Sequence, residues 1–194
     1  MKSAIKNIAI FASGSGTNAL NICNYFNNHH SIKVTTLVCN KPKAKVIERL
    51  QPFNVEVVLI KKSDFRSPEQ LIKKLKAAQV DFIVLAGFLL LIPNALIKAF
   101  HYKIINLHPS LLPKYGGKGM YGLHVHEAVL LAKEKESGIT IHYVNELFDE
   151  GEIIFQARVA ITESDTAESV AKKIHELEYA HYPTVIETVA SKNS

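Results

Sequence analysis

The chain alternates short apolar runs with helical segments, and this alternation constrains its fold more than any other feature of the sequence. Apolar runs predict strands at residues 7–12, 33–39, 55–60, 81–86, 103–107, 138–144 and 152–160. Helical segments separate the first five strands, and a long helix follows the last one. Regular alternation of this kind indicates a parallel sheet with helices on both faces. We therefore expect one α/β domain with a mostly parallel sheet of about seven strands.

Three segments that carry useful chemistry follow predicted strands directly. They are a glycine-rich turn at residues 13–18, an apolar segment at residues 87–92 and a polar segment at residues 106–113. Ligands of open α/β sheets bind outside the carboxyl ends of the strands. The three segments are therefore predicted to converge on one edge of the sheet and to form a site there.

The glycine-rich turn joins a strand to a helix, which is the arrangement that holds phosphate groups. Gly14 and Gly16 let the backbone approach an anion, and Thr17 and Asn18 are predicted to cap the helix. The turn lacks the third glycine of a dinucleotide fingerprint and the lysine of a P-loop. A phosphate-bearing substrate is one interpretation. A tight turn that needs glycine for geometry alone is the other.

Asn106 and His108 lie two residues apart on a predicted strand, so their side chains point to the same side. An amide donor beside an imidazole suits attack of a nucleophile on a carbonyl carbon. Asp149, in a later acidic loop, is a candidate partner that would orient the His108 ring and favour its charged form. A core strand that ends in hydrogen-bonded Asn and His side chains is the alternative.

Charge and cysteine content exclude several classes of partner. The net charge is +5, but the basic residues are scattered, so no nucleic-acid interface is expected. A mild positive balance would still attract a phosphorylated or polyanionic small substrate. His124 and His126 lack an HExxH context, so no metal site is predicted.

The sequence also favours a cytoplasmic protein without a membrane partner. Cys23 and Cys39 are not in a CxxC pair and imply no disulfide framework, which fits a reducing compartment. The first residues do not have the pattern of a signal peptide. The apolar run at residues 82–92 contains a glycine and is too short to span a bilayer.

The motifs together resemble the glycinamide ribonucleotide formyltransferase family of purine biosynthesis. The resemblance covers nearly the whole chain in the family's order and spacing, and its most specific part is the Asn-x-His-Pro-Ser-Leu-Leu-Pro run at residues 106–113. The other matching elements are residues 13–18, residues 85–88, His142 and the Asp149-x-Gly151 pair. The resemblance implies a Rossmann-like fold over residues 1–194. It also implies a phosphate-binding half at residues 1–102 and a catalytic, folate-binding half at residues 103–194.

The implied activity is transfer of a formyl group from 10-formyltetrahydrofolate, as co-substrate, to the amine of 5′-phosphoribosylglycinamide, without a metal. The 106–113 run is shared with methionyl-tRNA formyltransferase and formyltetrahydrofolate deformylase, both of which are expected to carry a further domain and to be longer. Two alternatives remain, a deformylase that uses water as acceptor and a nucleotide-binding α/β module without catalysis. The protein is expected to be a monomer or a homodimer.

The resemblance also implies residue roles. Asn106, His108 and Asp149 would be catalytic, with a protonated His108 held charged by Asp149. Ser15, Gly16, Thr17, Asn18 and Glu178 would bind the ribonucleotide. Leu89, Leu90, Leu91, Ile92 and His142 would line the folate pocket, with Arg66 at the glutamate tail.

The chain departs from the family pattern in three places. Leu90 stands where the family commonly has an arginine, so a polar contact to folate is expected to be missing. The loop at residues 116–122 is longer than the family's, which affects the surroundings of His124 and His126. The alignment around Arg66 is loose.

Overall fold

A computed structural model describes residues 5–192 and contains one seven-stranded sheet with six helices. The strands are β1 (Lys6–Ala12), β2 (Ile32–Cys39), β3 (Glu56–Leu59), β4 (Val80–Leu85), β5 (Ile104–His108), β6 (Glu136–Tyr143) and β7 (Ile153–Ala160). The helices are α1 (Thr17–Phe26), α2 (Lys45–Leu50), α3 (Glu69–Ala77), α4 (Asn94–Ala99), α5 (Leu123–Leu131) and α6 (Ala167–Lys192). Every strand predicted from the sequence is present, within two residues at either end.

The strand order is β3-β2-β1-β4-β5-β6-β7. The pairs from β3 to β5 are parallel, whereas β6 and β7 run antiparallel to their neighbours. The prediction of a mostly parallel α/β sheet of about seven strands is therefore confirmed. Successive strands are added on opposite sides of β1, so the order reverses between β1 and β4, which is where ligands bind in sheets of this type.

Both faces of the central strands are covered by helices. In β1, Ile8 and Ile10 pack with residues of α1 and α6, whereas Ala9 and Phe11 pack with residues of α3 and α4. Alternate side chains therefore enter two different apolar layers. This arrangement explains why the strand has an unbroken apolar sequence instead of an alternating one.

Helix α6 crosses the sheet and fixes the carboxyl end of β4. Tyr182 is completely buried, and its hydroxyl donates a hydrogen bond of 2.9 Å to the carbonyl oxygen of Leu85. Within residues 5–192, no helix is both long enough and apolar enough to cross a membrane.

The start of α1 differs from the prediction. Thr17 and Asn18 were expected to cap the helix, but they are its first two residues, and the capping position is Gly16 with φ of 75°. No side chain accepts a hydrogen bond from the first turn, because glycine has no side chain to offer. The amide groups at the start of α1 therefore remain available to a ligand.

We predict that Tyr182→Phe lowers the free energy of unfolding by about 1–2 kcal/mol, because the carbonyl of Leu85 loses a buried hydrogen-bond donor. Urea unfolding followed by circular dichroism measures this change. Tyr179→Phe is the matched control, since Tyr179 is partly exposed on the same helix and its substitution should change stability by less than about 0.5 kcal/mol. Equal effects of the two substitutions would contradict the assignment.

Candidate active site

A cavity of about 700 Å³ opens at the carboxyl edge of the sheet, where the strand order reverses. This volume lies within the usual range of small-molecule sites. The cavity is lined by thirteen of the fourteen residues assigned to the site from sequence: Ser15, Gly16, Thr17, Asn18, Leu89, Leu90, Leu91, Ile92, Asn106, His108, His142, Asp149 and Glu178. Arg66 is the exception, because it is exposed and does not line the cavity.

Gly16 is required both by its backbone conformation and by its surroundings. Its φ of 75° is in the left-handed region, and an added Cβ would lie 2.4 Å from the Cβ of Val46. Gly14, by contrast, is exposed, and an added Cβ there would have no neighbouring atom within 4 Å. The turn therefore exposes backbone at Gly14 and Ser15 while Gly16 packs tightly against the start of α2.

The carboxylate of Asp149 lies at the centre of the polar cluster. Its Oδ1 accepts a hydrogen bond of 3.3 Å from Asn106 Nδ2, and its Oδ2 accepts one of 3.0 Å from the backbone N–H of Gly117. His108 Nδ1 lies 3.4 Å from Oδ2, and His142 Nε2 lies 3.6 Å from Oδ1. One carboxylate therefore contacts both predicted catalytic side chains of β5.

The pairing of β5 with β6 places the fourth member of this cluster. Asn106 is directly opposite His142 in the antiparallel register, and its Nδ2 lies 3.2 Å from His142 Nε2. His142 Nδ1 lies 2.8 Å from the carbonyl oxygen of Tyr143, an acceptor, so Nδ1 carries the proton of that contact and Nε2 accepts from Asn106. Both contacts of Asn106 are longer than the roughly 2.9–3.0 Å that is usual for an N–H···O bond, which leaves its amide able to turn toward a ligand.

The ring of His108 meets an acceptor at each nitrogen. Nε2 lies 2.7 Å from the carbonyl oxygen of Tyr115, and Nδ1 faces Asp149. Burial lowers the pKa of His108 below its usual value, and the favourable effects of Asp149 and the Tyr115 carbonyl do not overcome it. The permanently charged His108 expected from sequence is therefore opposed by desolvation, and the neutral ring is the main form at neutral pH.

The ionisation of Asp149 is set by opposing effects. Burial by itself would raise the pKa of Asp149, but the contacts with His142, His108 and the Gly117 N–H outweigh it and hold the pKa below its usual value. Asp149 is therefore a carboxylate at neutral pH. It stabilises positive charge on His108 whenever a proton arrives there.

The glycine-rich loop after Pro113 is attached to this cluster. Tyr115 supplies the carbonyl that faces His108, and Gly117 supplies the N–H that faces Asp149. Tyr115 and Asp149 both have φ of 58°, an uncommon conformation for residues other than glycine. An added Cβ at Gly116 would lie 2.6 Å from Leu112 Cδ2, so this position has no room for a side chain.

A second polar group lies at the α1 end of the cavity. Asn18 Nδ2 donates a hydrogen bond of 2.8 Å to Glu178 Oε2, and His175 Nε2 lies 4.0 Å from the same oxygen. Burial raises the pKa of Glu178, although Asn18 and His175 act in the opposite direction. Burial, together with the neighbouring rings of His175 and His108, lowers the pKa of His126 to about 4, so His126 is neutral at neutral pH.

An apolar wall lines the remaining side of the cavity. Leu89 and Leu91 are each nearly half exposed although they are large and apolar, whereas Ile92 is buried. Leu147 and Phe148, which are also partly exposed, line the cavity from the loop before β7. Exposed apolar side chains that border a cavity are typical of a surface that covers a flat ring.

Sequence reasoning missed several residues of the site. The contacts of Tyr115 and Gly117 are made by the backbone, which no side-chain pattern signals. His126 and His175 line the cavity, and the His124-x-His126 pair had been considered only as a metal motif. Within residues 5–192, no three His, Cys, Asp or Glu side chains are grouped so that they could hold a metal ion.

Comparison with known proteins identifies the family. The profile of the family described as formyl transferase matches residues 6–186. A phosphoribosylglycinamide formyltransferase of Bacillus subtilis is 37% identical over 195 residues, which cover 98% of this chain and 97% of the relative. Chloroplastic relatives of the same name from Arabidopsis thaliana and Vigna unguiculata are each 38% identical, and the matches span 66% and 62% of their lengths.

Solved structures agree with this assignment. The crystal structure of phosphoribosylglycinamide formyltransferase from Bacillus halodurans has a TM-score of 0.87 at 39% identity, with 97% of each chain covered. Glycinamide ribonucleotide transformylase 1 from Geobacillus kaustophilus has a TM-score of 0.87 at 37% identity, with 96% of this chain and 99% of that chain covered. The chain therefore belongs to the formyl transferase family, and the phosphoribosylglycinamide formyltransferases are among its relatives.

Proposed function

We propose that the protein transfers a formyl group from 10-formyltetrahydrofolate to the amine of 5′-phosphoribosylglycinamide in purine biosynthesis. The observation that carries this proposal is the Asp149 carboxylate, which lies within 3.4 Å of both Asn106 Nδ2 and His108 Nδ1 at the wall of the cavity. This set of groups supplies an amide donor, a titratable ring and a fixed negative charge. Acyl transfer to an amine needs such a set.

The lining of the cavity supports a position for each substrate. The ribose phosphate would lie against Ser15, Gly16, Thr17 and Asn18, where the first amides of α1 have no side-chain partner. Glu178, fixed by Asn18, would contact the glycinamide part of the substrate. Both ends of the cavity then fit a molecule that is anionic at one end and carries an amine at the other.

The folate would lie against the wall formed by residues 89–92, with His142 beneath it and Leu147 and Phe148 above. The half-exposed leucines and the partly exposed Phe148 fit a flat heterocycle. 10-Formyltetrahydrofolate supplies the activated formyl carbon when it is bound. Arg66 remains a candidate for the glutamate end, since it is exposed outside the cavity and next to Phe65, which packs on Phe88 of the cavity wall.

The residues of this chain would move one proton during the transfer. As the amine attacks, Asn106 turns its amide to the developing oxyanion and stabilises it. The proton that the amine loses is taken up by the Asp149–His108 pair and resides on the imidazole, where Asp149 stabilises the charge. His108 then returns the proton to the leaving nitrogen, so the protein ends the cycle unchanged.

The neutral resting state of His108 suits this sequence of steps. A ring that is already charged could not accept the proton of the amine. The two protein acceptors at its nitrogens make the charged form accessible once a proton arrives, whereas burial returns the ring to neutrality afterwards. Deformylation by water would need the same groups but not the phosphate turn, and a binding module would need neither.

We further propose that the protein works in the cytoplasm on small molecules alone. Cys23 and Cys39 are both free and buried, as is common in a reducing compartment. A monomer or a homodimer remains our expectation for the oligomeric state.

We predict that Asn106→Ala, His108→Ala and Asp149→Asn each lower kcat by about 10²-fold or more, because each removes oxyanion stabilisation or the proton acceptor. Formyl transfer is measured spectroscopically as release of tetrahydrofolate. Glu150→Gln is the matched control, since it removes an exposed carboxylate next to Asp149 and should keep near-normal turnover. Full activity in Asp149→Asn would show that the Asp149–His108 pair is not needed.

A double substitution tests whether Asp149 acts through His108. Since the two groups form one proton-accepting unit, we predict that His108→Ala/Asp149→Asn is hardly slower than His108→Ala alone. Losses that multiply in the double variant would assign Asp149 an independent role.

The protonation state of His108 can be measured directly by NMR titration of the imidazole. Asp149 raises the pKa of His108 against the larger effect of burial, so Asp149→Asn should lower this pKa still further. The acid limb of kcat/KM in the wild-type protein should follow the same group, with activity falling as the pH drops through the pKa of His108. A pKa that rises in Asp149→Asn would contradict the charge interaction.

A further inference from the structure

Two loops beside the cavity carry six exposed cationic side chains. Lys41, Lys43 and Lys45 follow β2, and Lys61, Lys62 and Arg66 follow β3. In the part of the chain that the structure describes, none of the six forms an ion pair with a carboxylate. Asp64, which lies among them, instead accepts hydrogen bonds from the Lys61 N–H and the Ser63 hydroxyl. We refer to these six residues as the cationic surface.

The sheet brings the two loops together. β2 and β3 are parallel neighbours, with Cys39 opposite Leu59, and the N–H of Ile60 donates a hydrogen bond of 3.0 Å to the Cys39 carbonyl. Both loops therefore leave the carboxyl edge of the sheet side by side. The cationic surface is continuous although its two parts are about twenty residues apart in sequence.

Each loop also contacts a wall of the cavity. The N–H of Val46 donates a hydrogen bond of 3.2 Å to the carbonyl of Gly14, which joins the first loop to the phosphate turn. The ring of Phe65 lies 5.6 Å from that of Phe88, which joins the second loop to the apolar wall. Gly14 and Phe88 both line the cavity, so the cationic surface borders its mouth.

We propose that the cationic surface binds a poly-γ-glutamate tail on the folate co-substrate. This inference rests on the proposed function and extends it from the reacting ring to the far end of the molecule. A folate whose ring lies against residues 89–92 directs its glutamate end out of the cavity. Each additional γ-linked glutamate adds one carboxylate, and the unpaired cations next to the mouth can bind a chain of them.

The composition of the surface favours this ligand over other polyanions. Phe65 is the one aromatic residue of the two loops and is held against Phe88, so no exposed ring is available to stack on bases, as single-stranded nucleic acids require. The phosphate of the ribonucleotide is a single compact anion and already has a site at the α1 turn. An extended row of cations fits an extended row of carboxylates.

The test compares the binding of folic acid with that of folic acid carrying five γ-linked glutamates, at low ionic strength, by calorimetry. The wild-type protein should bind the pentaglutamate about tenfold more tightly than the monoglutamate, since several exposed ion pairs of modest strength add together. Salt at about 0.5 M should remove most of this difference. Formyl transfer with the monoglutamate co-substrate is measured on the same samples.

The variant Lys41→Gln/Lys43→Gln/Lys61→Gln/Lys62→Gln should lose the preference for the long tail and keep its affinity for folic acid. The matched control is Lys73→Gln/Lys74→Gln/Lys76→Gln/Lys98→Gln, which removes the same charge from exposed positions on α3 and α4. The last turns of α3 and α4 return toward the opposite edge of the sheet, so this control should keep the preference.

Several results would overturn the inference. Equal affinity of the wild-type protein for both folates would do so, as would a preference that survives in the cationic-surface variant. An equal loss in the two variants would show that net charge alone attracts the tail. Absence of formyl transfer with the monoglutamate would contradict the proposed function instead, and binding of the two folates would still decide the inference.

Discussion

The contact between the Asp149 carboxylate and the side chains of β5 is the interaction on which the site depends. A carboxylate that is largely buried needs partners, and here Asn106, His108, His142 and the Gly117 N–H supply them. These partners hold the pKa of Asp149 down, so the negative charge persists inside the cavity. The charge in turn makes a buried imidazole able to hold a proton that burial alone would refuse.

The sheet provides the rigid support for this contact. β5 is the strand at which pairing changes from parallel to antiparallel, with β4 on one side and β6 on the other. That change sets Asn106 opposite His142 and His108 opposite Thr140, whose hydroxyl donates a 2.6 Å hydrogen bond to the Ser110 carbonyl. The same hydroxyl accepts a hydrogen bond from the Leu112 N–H, so the segment that carries the catalytic side chains is fixed on both sides. Little reorganisation is then required of it when substrates bind.

Much of this arrangement could be predicted from the sequence, because it depends on periodicity and on side chains. The apolar runs predicted every strand, and the position of three polar or glycine-rich segments after strands predicted one shared edge. Backbone contacts could not be predicted, and so the parts played by Tyr115 and Gly117 were missed. The predicted helix cap was wrong because tertiary packing of Gly16 on Val46 moved the start of α1 two residues toward the N-terminus. The charge of His108 depends on burial, which sequence reports only indirectly.

Formyl transfer at this site should require the ribonucleotide as acceptor, and this requirement is the central claim to test. The most direct measurement is spectroscopic detection of tetrahydrofolate released from 10-formyltetrahydrofolate by the purified protein, with and without 5′-phosphoribosylglycinamide. We expect release only when the ribonucleotide is present, with formylated ribonucleotide formed in equal amount. Release at the same rate in its absence would show that water is the acceptor, and would contradict the proposed transfer.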